Sequence, residues 1–166
     1  MTDLDPQVLE VLQQAFEAAR AGDEPQLAAL LDAGVPVNLT NSKGDTLLML
    51  ASYHGHVDAS RLLLERGADP ERVNDMGQTP MQGAAFKGNI PMLEVLLDGG
   101  ANLEGGGVSG RTPLTFAAMF NHVKVLEFLI SRGASVGARD VQGGSALDAA
   151  RQMGASDAVK LLEAQE

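Results

Sequence analysis

Gly77-Gln78-Thr79-Pro80-Met81 and Gly110-Arg111-Thr112-Pro113-Leu114 carry the same five-residue pattern 33 positions apart. Gly44-Asp45-Thr46-Leu47-Leu48 precedes them by the same interval, and Gly143-Gly144-Ser145-Ala146-Leu147 follows by it. A second series, Gly34, Gly67, Gly100 and Gly133, keeps the same step. The chain of 166 residues is therefore one small unit repeated. A unit this short cannot bury its own apolar face, so the period predicts a stack of neighbours with a long open surface, and an enclosed catalytic pocket is not expected.

Each pattern reads as a helix start. The glycine turns the chain, the Thr or Ser oxygen caps free amide donors, and a Pro at the first helical position gives up an N–H that has no partner there. Small residues follow, at Ala51, Ala84-Ala85, Ala117-Ala118 and Ala149-Ala150. A second break at Gly22, Gly55, Gly88, Asn121 and Gly154 ends each short first helix. The next helix has one apolar face, in Ile90, Leu93, Leu96 and Leu97 and again in Val123, Leu126, Leu129 and Ile130, with Glu94, Asp98, Lys124 and Glu127 toward water. Gly67-Ala68-Asp69, Gly100-Ala101-Asn102 and Gly133-Ala134-Ser135 then stop it and open about ten residues of turn-rich connection.

The Thr-Pro-Leu starts, the alanine pairs, the mid-repeat Gly followed by His56 (Asn121 before His122), the Leu-Leu pair and the Gly-Ala-Asp exit together resemble the ankyrin repeat family, over nearly the whole chain. The resemblance implies an all-α solenoid of helix-turn-helix units with β-hairpin-like fingers. Residues 1–166 form one domain on this reading, with full repeats at 41–73, 74–106 and 107–139 and capping units at 4–40 and 140–166. The caps fit their places. Glu163 stands where inner repeats have Leu64, Leu97 and Ile130, and the first unit opens with Asp5-Pro6 and presents Glu10, Gln13, Gln14 and Glu17. Where the family pattern has His as the fourth residue of the helix-start motif, this chain has Met49, Gln82, Thr115 and Asp148, which predicts missing hydrogen bonds between repeats. Leu47 in place of Pro, and Ser60 where other repeats place Leu93 and Leu126, predict looser packing in the first full repeat. Gly105-Gly106-Gly107, lacking the Asn or Asp found at Asn41, Asn74 and Asp140, predicts a flexible finger.

Composition narrows function. The formal net charge of −10 disfavours nucleic acid and anionic membrane surfaces as partners. The absence of cysteine removes disulfides, thiolate nucleophiles and cysteine-bound zinc. The start Met1-Thr2-Asp3-Leu4-Asp5-Pro6 is acidic where a secretory signal is basic and then apolar, and no apolar run reaches membrane-spanning length, so a cytoplasmic location is expected. Asn38-Leu39-Thr40 matches a glycosylation acceptor by chance on this reading. Gly105, Gly107 and Gly110 have dinucleotide-loop spacing but no βαβ pattern around them and no acid about twenty residues on.

In the architecture that the resemblance implies, first helices and finger tips line a concave groove where partners generally bind. Carried over position by position, first-helix ends contribute Tyr53 and His54, Phe86 and Lys87, Met119 and Phe120, and Gln152 and Met153. Fingers contribute Lys43, Asp45, Asp75, Met76, Val108, Arg111, Arg139 and Val141. Three of the chain's six aromatic residues fall on this strip, and aromatic and methionine side chains give large, adaptable contact area. The opposing reading packs them against neighbouring fingers. Three anchors would contribute about 5–9 kcal/mol against an association cost of roughly 4–15, so electrostatics must add to them. Lys43, Lys87, Arg111 and Arg139 against Asp45 and Asp75 make a mildly basic groove in an acidic body, which suits an apolar and acidic protein segment.

The expected function is a non-enzymatic protein-binding module, acting as a monomer that inhibits, chaperones or escorts one partner, with no cofactor or metal. The partner-binding residues are Tyr53, His54, Met76, Phe86, Lys87, Arg111, Met119, Phe120, Arg139 and Met153. The alternative is a small-ligand or haem carrier using His54 and Tyr53, with His54-x-His56 as half of a metal site. A hydrolase in the groove would depend on His54, while His56 and His122 are read as structural.

Overall fold

The computed structural model describes residues 3–166; Met1 and Thr2, which begin the acidic amino-terminal stretch, lie outside them. Among the described residues ten helices run in helix–turn–helix pairs: α1 (Pro6–Ala21) with α2 (Glu24–Asp32), α3 (Leu47–Tyr53) with α4 (Val57–Glu65), α5 (Pro80–Lys87) with α6 (Ile90–Asp98), α7 (Pro113–Met119) with α8 (Val123–Ser131), and α9 (Ala146–Met153) with α10 (Ser156–Glu163). First helices stack in the series α1, α3, α5, α7, α9, and second helices lie along their back. The fold is an all-α ankyrin-type solenoid in which the fingers are turns, with isolated bridges joining Thr40 to Thr46 and Arg139 to Ser145.

The starts are capped as their sequence demands. Oxygens of Thr46, Thr79, Thr112 and Ser145 accept from the N–H groups of Met49, Gln82, Thr115 and Asp148. Left-handed backbone at Gly22, Gly55, Gly88 and Gly154 follows each first helix, and Asn121 takes the same conformation at φ 59°, the one non-glycine among the described residues to do so. Its amide repays the strain: Oδ1 accepts from Ala158 N–H and Nδ2 donates to Asp157.

Alanines at 51, 84, 85, 117, 118 and 150 are buried and let first helices approach closely, while Leu27, Leu63, Leu93, Leu96, Leu126, Leu129 and Leu162 fill the space behind them. Met92 and Val95 join this buried face, whereas Ile90 and Leu97 are half-buried. Leu47, which stands in place of proline, is buried completely. Ser60 is also buried completely, and its Oγ has no hydrogen-bond partner. The carboxyl-terminal cap exposes Glu163, paired with Arg151. The amino-terminal cap presents more than the expected polar residues: Leu4, Val8, Leu9 and Val11 are exposed beside Glu10, Gln13 and Glu17.

Hydrogen bonds between repeats are not uniformly lost. Gln82 donates from Nε2 to the carbonyl of Gly106 at the end of its own repeat (2.8 Å) and to that of Arg111 in the following one (2.6 Å). Met49 and Thr115 instead bond within their own helix starts. His56 and His122 tie repeats together, each through Nε2 at 2.7 Å from a carbonyl 36 residues earlier, of Arg20 and Phe86.

The triple-glycine finger is pinned rather than flexible. Gly106 accepts from Gln82, and Val108 N–H donates to Gly77 O at 3.0 Å. Gly107, at φ 55°, passes so close to the Gly77 carbonyl that a β-carbon there would collide with it. Glycine is present because the backbone of the preceding finger fills the space.

Two substitutions with opposite outcomes test this packing. Ser60→Ala removes an unpaired buried hydroxyl and should raise stability by about 1–2 kcal/mol. Gly107→Ala should lower it by at least about 1–2 kcal/mol. Chemical denaturation of each variant, read by helical circular dichroism, should shift the midpoint in those directions.

Candidate binding groove

The stacking period brings the ends of the first helices into one exposed row. Tyr53 and Phe86 occupy equivalent positions in adjacent repeats, and their rings lie parallel, 9° between planes and 6.5 Å between centroids. Phe120 meets Phe86 edge to face at 4.7 Å and 86°. Lys87 places Nζ 4.3 Å from the centre of the Tyr53 ring. These rings pack on one another and still meet solvent, at 45% exposure for Tyr53, 37% for Phe86 and 38% for Phe120. Their mutual packing holds them as a preformed surface, so the packing and binding readings of the sequence describe the same side chains.

The other residues fall around this strip. Met119 is half-buried, and Met153 is exposed at the far end of the same face. Met76 stands on a finger tip at 79% exposure, with Val108 and Val141 exposed on later fingers. Backbone bonds link the tips: Asp75 N–H to Lys43 O, Val108 N–H to Gly77 O and Val141 N–H to Ser109 O.

His54 is exposed beside the strip, its Nδ1 2.8 Å from the Leu50 carbonyl and its ring edge-on to Tyr53 at 5.8 Å. It stacks parallel to His56 at 6.5 Å, and His56 Nε2 is already taken by the Arg20 carbonyl. The two imidazoles therefore do not converge on a common point, and among the described residues no three His, Asp or Glu side chains gather as metal ligands.

Charge is arranged unevenly. Arg111 Nε lies 3.4 Å from Asp140, and Arg139 lies 3.8 Å from Asp148. The count of acids against these cations must therefore include Asp140 and Asp148 as well as Asp45 and Asp75, and the basic character predicted for the whole groove does not extend to this end. Lys43 and Lys87, by contrast, have no carboxylate within ion-pair distance among the described residues. One cation escaped the sequence reading. Arg20 lies in the last turn of α1, one period before Tyr53, and its carbonyl holds His56 just as the Phe86 carbonyl holds His122. It is exposed at the head of the same row. The 33-residue step, continued back into the first unit, would have found it.

Both acids at the far end are held below the ordinary carboxylate range of about 3.8. For Asp140 the chief cause is the N–H of Gly144, opposed by partial loss of hydration and aided by the N–H of Gln142 and by Arg111. For Asp148 it is the backbone N–H and then the hydroxyl of Ser145, with smaller help from Arg139 and Arg151. A carboxyl lowered in the folded state contributes stability that is fully present above about pH 4 and lost as pH falls through its folded value. Asp140→Asn should therefore flatten the loss of stability as pH falls below about 4, measured by denaturation across the acid range.

A family model described as ankyrin repeats (3 copies) matches residues 15–106 and 100–165. An ankyrin repeat protein of Pseudomonas aeruginosa is 53% identical over 60 residues, 36% of this chain and 35% of that protein. Ankyrin repeat domain-containing protein 29 of Homo sapiens is 50% identical over 50 residues, 30% of this chain and 17% of that protein. The matched stretches thus span about a third of the bacterial relative and under a fifth of the human one. With the family's repeats matched over nearly the whole length and its helix pairs stacked in register, the chain belongs to the ankyrin repeat family.

Proposed function

We propose that the chain is a non-enzymatic binding module that grips a partner protein through the concave row of Tyr53, His54, Phe86, Lys87, Met119, Phe120 and Met153 together with the finger residues Met76, Arg111 and Arg139. Ankyrin repeats are generally protein–protein interaction modules, which supplies the class. The observation that carries the reading is the exposed aromatic ladder Tyr53–Phe86–Phe120, half of the chain's six aromatic side chains aligned on one surface. The partner segment is apolar with acidic residues, met by the ladder and by Lys87. The module works as a cytoplasmic monomer of one domain, with residues 4–40 and 140–166 as caps, and it inhibits, chaperones or escorts what it binds.

Phe86→Ala with Phe120→Ala should weaken partner capture by at least about thirtyfold, the loss of one strong anchor, while the helical spectrum is unchanged because both rings are partly exposed. Capture of every partner at wild-type strength by the double variant, compared quantitatively by affinity pull-down, would remove the groove from the account.

A further inference from the structure

The chain has 22 acidic and 12 basic residues, so a basic side chain left without a carboxylate is the exception to be explained. Among the described residues seven of the twelve have an acid within 4.0 Å: Arg61, Arg66, Arg72, Arg111, Lys124, Arg139 and Arg151. Of the other five, Arg132 lies over the Phe128 ring and Lys160 belongs to the last helix. The remaining three, Arg20, Lys43 and Lys87, all stand on the groove and on its amino-terminal half.

Their surroundings hold them ready. Lys87 rests on the Tyr53 ring, which fixes its ammonium while its donors stay in water. Arg20 is fixed in register by the His56 bond to its carbonyl. Asp45, the acid nearest in sequence to Lys43, is occupied by the side-chain amides of Asn74 (2.9 Å) and Asn41 (3.4 Å). At the other half the charges compensate one another in the Arg111–Asp140 and Arg139–Asp148 pairs, and the exposed large apolar side chains there are Phe120, Met153, Val108 and Val141.

We infer that the groove is directional: an acidic stretch of the partner lies over Arg20, Lys43 and Lys87, and its large apolar side chains lie over Phe120, Met119 and Met153. This inference rests on the groove reading above and adds the chemistry and the placing of the occupant. Five first helices at interaxial distances of 8–10 Å give a row about 32–40 Å long. An extended segment of about 10–12 residues spans it at about 3.3 Å per residue. In an acidic body, three cations without ion-pair partners toward one end steer such a segment by that end and make its binding salt-dependent.

The test uses the intact chain and two fluorescein-labelled peptides of about 12 residues, the length set by the row. One carries four glutamates in one half and Leu, Phe, Leu and Met in the other; the second has the same residues in alternation. The block peptide should bind at least about tenfold more tightly than the alternating one, and more weakly as salt rises from about 50 to about 300 mM. Arg20→Gln with Lys87→Gln, both exposed, should cost it about tenfold or more. A spin label on its glutamate end should broaden the backbone amide signals of Arg20 and His54. Equal binding of the two peptides, no detectable binding, or broadening at Met153 would overturn the inference. Loss of binding in Phe86→Ala/Phe120→Ala with none in Arg20→Gln/Lys87→Gln would overturn it and leave the groove reading standing; indifference to both pairs would take the groove reading down as well.

Discussion

Every feature of this molecule depends on neighbouring repeats covering one another. The alanines of one first helix are dry only because the next first helix lies against them, and the leucines of α4 or α6 are dry only because the adjacent second helices do the same. The stack has no central core to which loops could be attached and from which they could be removed. A defect therefore acts at a junction: the unpaired hydroxyl of Ser60 weakens the contact of α4 with its neighbours, where other repeats put leucine.

The same constraint makes the groove. Because repeats are held in a fixed step, any side chain placed at the end of a first helix is brought beside its counterparts. Tyr53 and Phe86 meet for that reason and no other, and Phe120, one residue later in its own repeat, turns its edge to Phe86. The polar ties follow the same logic. His56 and His122 reach back to first-helix carbonyls over an identical interval, which shows that α1 is held in the same register as α5 despite its divergent sequence.

The architecture was legible in the sequence because its signals are local and periodic: a Thr or Ser cap, a left-handed Gly, an apolar face. Each of these predicts its own structure without knowledge of the rest. What escaped the reading was contact between repeats. Gly105-Gly106-Gly107 looks like slack in isolation and is in fact space taken by the previous finger. Gln82 departs from the family residue and yet bridges to the next repeat, because its amide is long enough to reach two carbonyls. Arg111 and Arg139 look like free charges until Asp140 and Asp148 are placed beside them in space. Arg20 was concealed by the degenerate motif of its unit, though its position was not.

The bond from Val108 N–H to Gly77 O sets a phase between fingers. Its neighbours join Asp75 to Lys43 and Val141 to Ser109, so the middle connection is one residue out of step with those on either side. Repeats of this chain are accordingly not interchangeable bricks. A transplanted copy of residues 107–139 would mate only with a finger that offers a carbonyl at the position of Gly77, and any lengthening of the array by duplication must copy the junction as well as the unit.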